Sequence, residues 1–150
     1  MAKFIATNEL GRLAKWLRIL GYDTVLSKEK GGKLVVQSLR EERVILTRDS
    51  KMGRFSGTRM LHVRSDFVEE QLAEVINKLS LEIDKGKLFT MCVLCDKELT
   101  KAAKPEVKGR VPEYVYNTQE LFMECPNCKK IYWQGSHWDL VEKFLSKLKN

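Results

Sequence analysis

The chain has 150 residues, 43% hydrophobic and 31% charged, with 27 basic against 20 acidic side chains and a formal net charge of +7. This composition suits one compact domain with a small appendix, and no run is apolar enough for a membrane span or a secretory signal, so a cytoplasmic setting is expected. The basic excess is shared, four charges over residues 1–86 and three over 87–150, which is the footprint expected for a polyphosphate partner such as RNA; a merely solvated surface is the plainer reading.

Lys3-Phe4-Ile5-Ala6 reads as a short strand. Leu10, Leu13, Ala14, Leu17 and Leu20 then recur at helical spacing until Gly21 supplies a stop. Arg12, Lys15 and Arg18 follow one another at three-residue intervals as a basic stripe, suited to phosphate contact. Thr24-Val25-Leu26 is a second strand, and beyond the Gly31-Gly32 break a short helix is expected from Leu34 to Arg40. Arg43-Val44-Ile45-Leu46-Thr47 is a third strand, ending in Arg48-Asp49. Strands alternating with helices imply a parallel sheet with helices on both faces, whose functional groups collect beyond the carboxyl ends of the strands, where Asp49 stands. Residues 50–59, with Lys51, Arg54 and Arg59, plus Arg48 just upstream, read as a cationic loop. Met60 to Val63 is a fourth strand. Ser65-Asp66 opens a helix buried through Val68, Leu72, Val75, Ile76 and Leu79, with Asp66 and Glu69 forming a capping box that still leaves Asp66 able to face a cleft.

Periodicity is lost from Glu82 to Leu88, which places a boundary between an α/β domain, residues 1–86, and a tail, residues 87–150. The tail holds Cys92-Val93-Leu94-Cys95 and Cys125-Pro126-Asn127-Cys128, one C-x-x-C spacing used twice with 29 residues between. Two thiolate pairs from distant turns close a tetrahedron around a structural Zn²⁺; disulfides and a thiol redox motif are the competing readings. Lys97 to Tyr116, with Pro105 and Pro112, is expected as ribbon loops whose Lys101, Lys104 and Lys108 track a phosphate backbone. After Ile131-Tyr132-Trp133 a helix is expected from Asp139 to Leu148, capped by Ser136 and Asp139. The dense aromatics suit a small core or stacking on bases, with Trp133 and His137 as the residues that would meet RNA.

Phe4-Ile5-Ala6-x-x-x-Leu10-Gly11-Arg12-Leu13-Ala14-Lys15-Trp16-Leu17-Arg18-x-Leu20-Gly21-Tyr22-Asp23, Leu46-Thr47-Arg48-Asp49, Glu70-Gln71-Leu72, the cysteine pairs and Tyr132-Trp133-x-Gly135-Ser136-His137-Trp138 together resemble the Mut-seven C-terminal RNase domain family. The resemblance implies a PIN-like three-layer α/β domain with a mainly parallel sheet, followed by a small zinc ribbon with a terminal helix. It also implies strand-end carboxylates that hold one or two divalent ions, Mg²⁺ or Mn²⁺, for phosphodiester hydrolysis. Two positions depart from the family. Thr7 stands where the first strand ends in an aspartate, and a second acidic position falls near Gly31. Asp49 and Asp66 remain as catalytic candidates, with Glu9, Glu70 and Asp23 near them in sequence. The expectation is therefore an RNA-binding protein of nuclease ancestry with weakened or lost activity, acting on structured RNA or the ribosome. The alternatives are an active metal-dependent endoribonuclease using Asp49 and Asp66, and a zinc-ribbon adaptor for a protein partner.

Overall fold

The computed structural model describes residues 2–49, 52 and 57–148, with backbone alone at 136 and 137. Lys51, Arg54 and the His137 side chain, all expected to contact RNA, lie outside the described residues. The chain forms two compact units, Met1–Asp96 and Lys97–Asn150, so segment 87–96 groups with the first. Among the described residues no helix is long and apolar enough to cross a membrane.

In the first unit β1 (Phe4–Thr7) leads through one 3-10 turn into α1 (Gly11–Ile19). Then come β2 (Thr24–Ser27), α2 (Gly31–Glu41), β3 (Val44–Thr47), β4 (Met60–His62) and α3 (Val68–Lys78). The strands lie in the order β2-β1-β3-β4, and each neighbouring pair is parallel. Every residue of the two central strands is buried, which explains why both read as apolar runs rather than as alternation. Since all four strands point one way, Thr7, Ser27, Thr47 and His62 share the carboxyl edge.

The helices follow the expected stripes, with two corrections. Leu13, Ala14 and Leu17 bury one face of α1, and Leu34 and Val35 of α2 pack against Ile5 and Ile45. α2, however, starts at Gly31, so the glycine pair is its first turn and not a break. First-turn amides have no intrahelical acceptor to lose, and Gly31 enters at φ +56°, where glycine fits best. At α3 the expected capping box is absent. Ser65 Oγ instead accepts from the Phe67 amide at 3.2 Å, and Gln71 Nε2 donates to the Ser65 carbonyl at 2.8 Å. The Asp66 carboxylate is instead engaged by Arg48 at 2.5 Å.

The second unit is built on an antiparallel sheet of β5 (Thr100–Ala102), β6 (Phe122–Glu124) and β7 (Ile131–Trp133), in that order. Where loops were expected, α4 (Lys104–Val107) and α5 (Glu113–Thr118) form. Pro105 sits in the first turn of α4 and Pro112 caps α5, positions where a missing amide costs nothing. These helices supply Val107 and Val115, which join Ala102, Val111, Phe122 and Ile131 in one core, with Tyr116 and Trp133 packed against it. α6 (Ser136–Leu148) starts three residues before the expected Asp139 and buries Val141 and Leu145. The cap expected from the Ser136 side chain lies outside the described atoms.

Candidate functional site

The parallel sheet brings the ends of β1, β2 and β3 to one cleft of about 260 Å³. Thr7 lines it from β1, Asn8 and Glu9 from the 3-10 turn that follows, Ser27 to Gly31 from the β2–α2 connection, and Thr47, Asp49 and Met52 from β3 and its loop. Thr7 is buried and donates its hydroxyl to Glu9 Oε1 at 2.5 Å. The Arg48 amide reaches the same oxygen at 3.4 Å. Burial pushes the Glu9 carboxyl up, but hydrogen bonds from Thr7, its own amide and Arg48, together with the Lys30 charge, outweigh this and hold it below its ordinary 4.5. Glu9 is therefore an anion at neutral pH. Asp49 is set by a turn at the end of β3: its amide donates to Thr47 Oγ1 at 3.1 Å, and its carbonyl accepts from the Met52 amide at 3.2 Å.

Glu29 is the carboxylate the sequence reading passed over, together with Lys28 and Lys30. The Glu29 amide donates to Ser27 Oγ at 3.1 Å, which ties the residue to the end of β2. Its signal in the sequence is that Glu29 lies two residues before Gly31, near the second acidic position that the resemblance implies. The N-terminus of α2 opens at the same wall, without a side-chain cap.

The four catalytic candidates therefore separate. Glu9 and Asp49 line the cleft, whereas Asp66 and Glu70 do not. Asp66 is 78% exposed and paired with Arg48, and Glu70 accepts from the Ser65 hydroxyl. Asp23 stands at the opposite, amino edge of the sheet, bound to Arg43 at 2.8 Å. Among the described residues no three carboxylates converge as closely as the cysteines do.

Of the basic residues, Arg12 and Lys15 are exposed on α1, and Lys101 and Lys108 on the second unit. Arg18 is a correction. It is buried, donating Nε to the Thr24 carbonyl at 2.9 Å and Nη1 to the Val93 carbonyl at 2.7 Å. Each three-residue step falls about 60° short of a full turn, so two steps carry Arg18 about 120° round from Arg12, onto the inner face. Arg59 is exposed at the amino end of β4, where it lines a second cleft with Lys3 and Arg43, away from the strand-end site. Lys104 pairs with Glu120 at 3.0 Å and lies 5.1 Å over the Tyr116 ring. Trp133 packs on the core of its unit, as the core reading of the aromatics expected.

The sulfurs of Cys92, Cys95, Cys125 and Cys128 all lie within 4.8 Å of one another, and no disulfide joins them. Thiolates around a tetrahedral Zn²⁺ stand about 3.8 Å apart, given a Zn–S bond of about 2.3 Å. The amides of Asn127 and Cys128 both point at Cys125 Sγ from 3.4 Å, which fixes the sulfur at the turn. Four soft donors converging in this way fit a structural metal ion such as zinc.

No curated protein and no solved structure matches the chain. The Mut7-C RNAse domain model matches residues 2–145, nearly the whole length and both units. With the parallel strand-end cleft and the four-cysteine cluster in place, the chain belongs to the Mut7-C RNAse domain family.

Proposed function

We propose that this chain binds RNA along the strand-end cleft and its basic surroundings, with metal-dependent phosphodiester cleavage weakened or lost. One observation carries the reading. At the end of central strand β1, where the family resemblance implies an aspartate, the Thr7 hydroxyl is neutral and is committed as a donor to Glu9. Mg²⁺ and Mn²⁺ beside a polyanion need fixed negative charge to offset their dehydration, and a hydroxyl supplies none. The groups that suit phosphate remain: Lys28, Lys30 and the amino end of α2 stand along the same wall. A folded RNA, such as that of the ribosome, suits a chain with basic excess on both parts, and reduced thiols suit a cytoplasmic setting.

Glu29 favours a second reading, an active endoribonuclease. Glu9, Glu29 and Asp49 would there hold the ion, which would activate water and stabilise the leaving oxygen. Binding and cleavage of one labelled folded RNA in Mn²⁺ distinguish the two, comparing this chain with Thr7→Asp, Glu29→Gln and Asp49→Asn. Weakened nuclease function predicts binding with little cleavage, raised about tenfold or more by Thr7→Asp. Strong cleavage by the unaltered chain that disappears in Glu29→Gln or Asp49→Asn would establish the active enzyme instead. Negligible RNA binding at moderate salt would point to the protein-adaptor reading.

A further inference from the structure

Away from the cleft lies a buried ion pair. The Arg18 and Asp96 side chains are 7% and 9% exposed, with Arg18 Nε 3.6 Å from Asp96 Oδ1. Arg18 bonds two carbonyls from separate segments, Thr24 at the start of β2 and Val93 between the first two cysteines. Asp96, directly after Cys95, accepts from the Thr24 amide at 2.8 Å. Its own amide donates to the Cys92 carbonyl at 3.0 Å, closing the turn that presents Cys92 and Cys95, and its backbone is held at φ +56°.

A guanidinium this far from water is tolerable only while its acceptors are in place. One of its two acceptors, the Val93 carbonyl, and its ion-pair partner Asp96 both belong to the cysteine turn, and such turns are ordered by the metal they hold. The buried network is therefore complete when the turn is folded and incomplete when it is not. We propose that Arg18 and Asp96 are positioning residues for the four-cysteine metal centre, which link its occupancy to the order of the α1–β2 corner. The inference rests on the reading of the cysteines as a metal site. Because linkage is reciprocal, the folded corner raises metal affinity, and bound metal protects the corner.

The test uses the full chain loaded with zinc alone. Zinc transfer to a chromophoric chelator is measured for the unaltered chain, Arg18→Met and Asp96→Asn. Amide hydrogen exchange at Thr24 is followed with zinc bound and after its removal by excess chelator. The expected results are about tenfold weaker zinc retention in each variant and loss of Thr24 protection on zinc removal, while β1 and β3 amides stay protected. The exchange measurement needs no variant, so it decides the matter even if Arg18→Met fails to fold. Thr24 protection indifferent to zinc, or zinc retention unchanged in both variants, overturns the proposal alone. A chain that takes up no zinc overturns it together with the metal reading.

Discussion

At Thr7 one hydroxyl helps to hold its neighbour as an anion. Thr7→Val keeps the branched shape but removes the donor to Glu9, and should cost about 1 kcal/mol at neutral pH in urea unfolding. The pH dependence has a definite sign. Glu9 is held below its ordinary 4.5 in the folded chain, so its stabilisation is complete above the unfolded value and is lost as pH falls through the folded one. The gap between the unaltered chain and Thr7→Val should therefore narrow below about pH 4.5; a gap constant with pH would show that the hydroxyl acts through packing alone. Arg43 is a larger case. Its side chain, 9% exposed, bonds Asp23 at 2.8 Å, Glu41 at 2.7 Å and the Phe4 carbonyl at 3.1 Å, clamping the amino edge of β1 and β2. Arg43→Leu should cost about 2–3 kcal/mol, less than a fully buried pair because both carboxylates still reach water.

At the level of elements, neighbouring glycines carry opposite expectations. Gly31 and Gly32 both have open space where a side chain would go, but only Gly31 has a positive φ, +56°. Gly31→Ala should cost about 1 kcal/mol, whereas Gly32→Ala, inside the first turn of α2, should gain about 0.5–1 kcal/mol by restricting the unfolded chain. Equal midpoints in thermal unfolding would contradict that contrast. Gly21 is constrained more severely: at φ +91° an added Cβ would lie 2.7 Å from the Lys87 carbonyl oxygen, where segment 85–89 returns past the end of α1. Periodicity exposed the buried stripes of α1 and α3 because each is a local repeat. The start of α2 and the helices at Pro105 and Pro112 were obscured because glycine and proline both break helices and begin them, and only packing shows which.

For the whole molecule, metal and charge are the governing quantities. The core of the second unit is small, so Cys125→Ser, or zinc removal, should abolish its protected amides while those of β1 and β3 persist. Loss of protection throughout the first unit as well would mean that the two units do not fold separately. RNA affinity should fall steeply with salt, and Lys28→Ala or Lys30→Ala should each reduce the slope of log affinity against log salt by roughly 0.7–0.9. An unchanged slope would remove those lysines from the phosphate path.

The sequence by itself determined what is local or periodic: an α/β unit with a parallel sheet, apolar helix faces, and four cysteines at metal-binding spacing. Resemblance implies the family and sets Thr7 apart from its aspartate. Tertiary structure decided which side chains meet. Glu9, Glu29 and Asp49 reach one cleft only because β1, β2 and β3 are adjacent and parallel in register, a relation that sequence separation does not encode. Asp66 was assigned to a helix cap by its spacing, yet Arg48 engages it. Arg18 was assigned to a phosphate surface by its charge, yet it lies inside beside Asp96, because acceptors 6 and 75 residues away converge on its guanidinium. A charged side chain settles where its hydrogen-bond partners are, and those partners exist only once the chain has folded.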